Sequence, residues 1–174
     1  FSWRLMNILE EANALNEAGK FDEAFELYDR ILAQNPEHPA VLAAIATIML
    51  RSGKQNGVVV SLLKQALAKT GPRADILCNL GVAYKNEGLR EKAVECFEKS
   101  IKASPTVGGL TGYGSLFVEQ GTPEKAIESF EKALKIDPSI AMTRWNLALA
   151  LLENGSWDRA WDEHEWGMKA GGMR

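Results

Sequence analysis

The residues able to make or break covalent bonds are few and scattered. Cys78 and Cys96 are the only thiols, and His38 and His164 the only imidazoles, in 174 residues. A structural metal site needs four such ligands in close groups, so no metal ligand set is expected from side chains spaced this widely. The two cysteines fit reduced, semi-buried thiols better than a disulfide framework. There is no glycine-rich phosphate loop, H-E-x-x-H pair or nucleophile elbow. His164 sits beside Asp162, Glu163 and Glu165, but helical neighbours one or two places apart do not face one another. No catalytic residue and no cofactor are expected. What remains is amide chemistry. Asn13, Asn16, Asn79, Asn86 and Asn146 each offer two N–H donors and a carbonyl acceptor. A row of such groups matches the donors and acceptors of an extended peptide backbone.

Those amides need a scaffold that repeats, and the sequence supplies one. Glycines fall at Gly19, Gly53, Gly88, Gly121 and Gly155, with spacings of 34, 35, 33 and 34. An apolar-periodic segment precedes each and another follows it. The clearest unit runs over 74–106. Leu77, Leu80, Gly81 and Tyr84 line one face of a first helix, and Gly88 ends it. Ala93, Phe97 and Ile101 line one face of a second helix, which Pro105 closes. These are i, i+3, i+4, i+7 patterns of amphipathic helices. Units at about 5–38, 39–73, 107–140 and 141–169 carry the same pattern. The second departs from it, with Val58 where a small alanine is expected and the closing proline missing. Period-two alternation is absent, so no strand is expected.

The order large, small, aromatic, then small, aromatic, proline resembles the tetratricopeptide repeat (TPR), W-x₂-L-G-x₂-Y…A-x₃-F…P. The resemblance spans nearly the whole chain. It implies an all-α fold: an α-solenoid of about five helix-turn-helix repeats, 1–174 as one array, wound as a right-handed superhelix with a concave and a convex face.

In such arrays the first helices line the concave groove. The resemblance therefore places Asn13, Asn16, Thr47, Arg51, Asn79, Lys85, Asn86, Thr111, Ser115, Trp145 and Asn146 in a peptide-binding groove. Asn79 and Asn146 stand at equivalent places, each just before a Leu-Gly or Leu-Ala pair. This is similar to the asparagine ladder of O-linked N-acetylglucosamine transferases, though Glu10, Ala44 and Gly112 hold that place in the other units. The carboxylate clamp by which other TPR proteins grip chaperone tails is not expected. Its places carry Leu9, Ala44, Asp75 and Asn79, and only Asn13 fits.

The end of the array reads Gly155-x-Trp157-x-x-Ala160-Trp161-x-x-His164-Glu165-Trp166. It is similar to the final repeat of bacterial and phage TPR proteins in which a glycosyltransferase-like domain follows. Trp157, Trp161, His164 and Trp166 are thus expected to form an oligomer or domain interface. Three readings stay open: a scaffold holding a protein or peptide partner, the recognition arm of a larger enzyme, and a self-assembling homo-oligomer.

Net charge is −3, which argues against a nucleic-acid partner. The charge is uneven. Residues 5–38 hold two bases and eight acids, whereas 39–73 hold five bases and no acid. That pairing of bands could steer an acidic peptide to the second unit, and could equally let molecules stack acidic end to basic flank. No bilayer-length apolar run and no leader at Phe1-Ser2-Trp3-Arg4 are present, which sets the expectation of a cytoplasmic chain without a membrane partner. One helix is odd: Gly108, Gly109, Gly112 and Gly114 fall within seven residues. Each interior glycine costs about 0.5–1 kcal/mol relative to alanine. This marks either a hinge, a place of close backbone approach by a ligand, or tight helix packing.

Overall fold

A computed structural model describes residues 3–53 and 56–170. It holds ten helices: α1 (Trp3–Glu17), α2 (Phe21–Leu32), α3 (Pro39–Ser52), α4 (Asn56–Thr70), α5 (Ala74–Asn86), α6 (Arg90–Ala103), α7 (Val107–Glu119), α8 (Pro123–Ile136), α9 (Ala141–Glu153) and α10 (Trp157–Ala170). Among the described residues there is no strand. The fold is an all-α solenoid of helical hairpins.

The turn glycines fix the hairpins. At Gly88 the backbone has φ +73°, which only glycine adopts cheaply. Leu89 N–H then reaches back to Tyr84 C=O at 2.9 Å, and Gly88 N–H to Lys85 C=O at 3.0 Å. This pair of bonds satisfies the last carbonyls of the helix, and it recurs at Gly19, Gly121 and Gly155. At other ends, side chains cap. The Thr106 hydroxyl accepts from Gly109 N–H at 3.2 Å, and His38 Nδ1 accepts from Val41 N–H at 3.4 Å.

The second unit corrects the sequence reading by one residue. Val58 is half exposed, and Val59 is the fully buried residue at the small-residue place. An extra residue after Gly53 moves the helix face round, which also accounts for the spacing of 35. Leu63 then takes the aromatic place, fully buried. The unit closes with Gly71 at φ +74°, followed by Pro72.

The hairpins stack in a consistent way. Each odd helix packs its backbone close to the next odd helix (α1 to α3, α3 to α5, α5 to α7, α7 to α9), while among the described residues the backbones of no two even helices come that close. The odd helices therefore form the inside of the curve and the even helices its outside. The core lies between these two layers. Tyr28, Phe97 and Phe130 are its largest fully buried side chains.

The glycine-rich helix is resolved by what packs on it. A Cβ at Gly112 would stand 2.6 Å from the Phe97 ring, and one at Gly114 2.6 Å from Phe130. At Gly109 it would crowd the Ser100 and Thr106 hydroxyls at 3.3 and 3.2 Å. Gly112 and Gly114 let α7 sit directly on the aromatic rings of α6 and α8. Tight packing accounts for them.

Candidate functional site: the inner polar ridge

The odd helices carry short polar side chains about one turn apart, and these pair laterally. The Asn79 amide on α5 donates to Thr47 Oγ1 on α3 at 2.8 Å. Thr111 on α7 and Thr143 on α9 share a hydrogen bond of 3.1 Å. Lys85 on α5 meets Glu119 on α7 at 3.3 Å. Thr47 and Ser115 also donate to the backbone carbonyls of Ala43 and Thr111, each at 2.8 Å. These bonds hold each side chain in one rotamer along the inner surface.

A depression of about 250 Å³ lies at the centre of this ridge. Lys85, Ser115, Val118, Glu119, Phe130, Asn146 and Leu149 line it. Half-buried Asn146 makes no hydrogen bond among the described residues, so its donors and acceptor point to a ligand-sized space without a partner. Lys85 is a quarter exposed and Glu119 under half, so the pair presents both charges at the rim.

The structure gathers some of the sequence-derived residues and separates others. Thr47 and Asn79 are bonded to each other. Lys85, Ser115 and Asn146 share the depression, and Thr111 extends the row towards α9. Asn13 lies apart, its carboxamide oxygen accepting from the Tyr28 hydroxyl at 2.9 Å. Arg51 is exposed and lies over the Phe21 ring, 5.0 Å from its centroid. Asn16 is half-buried and Asn86 exposed, both on odd helices. Glu119, Thr143 and Leu149 complete the ridge and were not singled out from sequence.

Trp145 belongs to a cleft of the α9–α10 hairpin. Its ring lies 5.2 Å from that of His164, and Trp161 stands edge-on to His164 at 5.7 Å. With Ala148, Leu149, Leu152 and Ala160 they line an apolar cleft of about 190 Å³. Trp157 is exposed and lines no part of it. Trp166 is covered instead: the Arg144 guanidinium lies 3.9 Å from its ring centroid and binds Glu163 at 2.6 Å.

Among the described residues no three His, Cys, Asp or Glu side chains cluster as metal ligands. No helix there is long and apolar enough to cross a membrane. Burial raises the Cys78 thiol to about 11, helped by the Asp75 carboxylate. Thiolate chemistry is therefore suppressed at that residue.

The comparisons agree with the helical period. Family signatures described as tetratricopeptide repeat match residues 15–56 and 74–107, and one described as TPR repeat matches 114–155. The chain belongs to the tetratricopeptide-repeat family. It is similar to the protein NPGR2 of Arabidopsis thaliana, 32% identical over 97 residues, which is 53% of this chain and 13% of that protein. It is also similar to a probable UDP-N-acetylglucosamine–peptide N-acetylglucosaminyltransferase, SPINDLY, of Solanum lycopersicum, 30% identical over 95 residues, 55% of this chain and 10% of that one. The matched stretch thus spans roughly an eighth to a tenth of the length of these curated relatives. Among solved structures, the thermophilic TPR protein TTC0263 of Thermus thermophilus superposes with a TM-score of 0.79 at 22% identity, covering 97% of this chain and 92% of that one. The array is that of an interaction scaffold.

Proposed function

We propose that this chain holds an extended segment of a partner protein along its inner face, on the ridge from Thr47 through Asn79 and Ser115 to Asn146. The observation that carries this reading is the Asn146 amide, without a partner among the described residues, in the same depression as the Lys85–Glu119 pair. Neighbouring polar groups are already ordered by lateral hydrogen bonds, so little side-chain entropy is lost on binding. Asn79 spends one N–H on Thr47 and keeps a second N–H and its carbonyl for a peptide backbone. Selection of peptides from a random display library, followed by Asn79→Ala with Asn146→Ala, tests it. The selected peptide should lose affinity about tenfold or more in the double variant, since each removed hydrogen bond is worth roughly 0.5–1.5 kcal/mol. Unchanged affinity would remove the inner face from the account.

A second reading rests on the open end at Trp145, Trp161 and His164, together with the similarity to SPINDLY. In it the array is the recognition arm of a longer glycosyltransferase-like protein, and the apolar cleft receives the next segment. Coding sequence downstream of Arg174 supports it, and a stop codon there refutes it. Light scattering that shows dimers at low micromolar concentration would assign the cleft to a second copy instead.

A further inference from the structure

The even helices stand apart along the outside, so each neighbouring pair leaves a furrow floored by the odd helix between them. Beside three of these furrows, polar or charged groups meet complementary partners. Beside α2 and α4, Lys69 meets Glu37 at 2.6 Å. Beside α6 and α8, the Tyr113 hydroxyl on the floor helix α7 donates to Glu98 at 2.9 Å. Across α8 and α10, Arg159 meets Glu131 at 2.6 Å.

The furrow between α4 and α6 differs. Lys64 from one wall and Lys92 from the other both reach over the ring of Tyr84, 5.9 and 5.6 Å from its centroid. Both ammonium groups therefore lie near one ring, and α4 carries no acid to meet either. Glu95, the carboxylate lining this furrow, is taken by Lys99 at 2.6 Å. Beside Lys92 lies an apolar floor of Leu67, Leu77, Leu80, Tyr84 and Cys96, under a space of about 320 Å³ that Lys99 also lines. Burial and the Glu95 carboxylate raise the Cys96 thiol, and the charges of Lys99 and Lys64 pull against that rise.

The Tyr84 ring attracts each ammonium only weakly, while the two repel each other. An anion between them satisfies both, and an apolar side chain next to it covers the floor. The geometry points to a second binding surface on the outside of the array, one that takes an acidic segment of a partner protein, with a carboxylate between Lys64 and Lys92 and a leucine-like side chain on Leu77, Leu80 and Tyr84. This surface is on the opposite layer from the inner ridge and does not depend on it.

Fluorescence anisotropy with a labelled peptide of repeated Glu-Glu-Leu units tests the assignment, with a Lys-Lys-Leu peptide as the control. The acidic peptide should bind saturably and the basic one should not. Lys64→Gln with Lys92→Gln should weaken binding about tenfold or more, as for removal of paired charges at an interface. Lys64→Arg with Lys92→Arg should keep it, and Asn79→Ala with Asn146→Ala should leave it unchanged. Binding should also fall as salt rises from about 0.05 to 0.3 M, where screening shortens to a few ångströms. Equal binding of both peptides, no saturable binding, indifference to the glutamine pair, or loss in the asparagine pair would each overturn the assignment.

Discussion

Phe97 and His164 hold the same place in their hairpins, nine residues beyond the turn glycine, and meet opposite surroundings. Phe97 is fully buried. Its ring is wedged between Gly81 of its own hairpin and Gly112 of the next, where a Cβ would come within 2.9 and 2.6 Å. His164 has its own hairpin on one side and an open apolar cleft, walled by Trp145 and Trp161, on the other. At Phe97 this place is a socket with two halves, the second supplied by the following odd helix. Inside the array the socket stores stability. Around His164 the Trp145 and Trp161 rings are exposed.

Substitutions can break or sharpen this contrast. The largest effect is expected from Phe97→Ala, which empties the closed socket and should cost about 3–5 kcal/mol in urea unfolding. A cost below about 1 kcal/mol would mean that the stack does not depend on this ring. Gly112→Val overpacks the same socket from the other side and should cost roughly 1–3 kcal/mol by the same measurement. Its effect should be smaller in a Phe97→Leu background, because the two positions share one space.

Smaller changes are expected at the open end. Arg144→Ala removes a mostly buried ion pair with Glu163 and the stack on Trp166. Its cost should be about 1 kcal/mol and only weakly sensitive to salt. His164→Ala should cost about 0.5 kcal/mol or less, the usual range away from a closed core. A cost near that of Phe97→Ala would show that something already covers the cleft in solution.

The smallest effect concerns the closed junction between the first two hairpins. Burial holds the His38 imidazole below its ordinary value of 6.5. The unfolded chain therefore takes up a proton before the native state does. The stabilising contribution is complete above pH 6.5 and is lost as pH falls through the lower native value. Melting followed down from pH 7.5 should show this decline, and His38→Asn, which keeps a capping acceptor, should flatten it.

Much of this architecture was legible because turn chemistry is local. Each glycine that set the period sits at positive φ, and the buried alanines and aromatics follow at fixed distances. Val58 and Val59 were exchanged because one added residue after Gly53 rotates α4 by a hundred degrees or so, which no neighbouring residue announces. The inner ridge was read in part. Asn79, Lys85 and Asn146 follow from their place on first helices. Glu119 and Thr143 do not, because side chains pair across hairpins with an offset set by how the helices stack. Thr47 to Asn79 and Thr111 to Thr143 are both 32 residues apart, shorter than the repeat. Trp145 was assigned to the groove from its helix alone, and its angular position turns it to the open cleft.

The central claim is that the inner face binds a peptide. The most direct test maps amide chemical shifts when a display-selected peptide is added to the Lys64→Gln, Lys92→Gln protein, in which the outer furrow is neutralised. The account predicts shifts centred on α3, α5, α7 and α9, around Thr47, Asn79, Ser115 and Asn146. Shifts confined to the even helices, with those four residues unmoved, would contradict it.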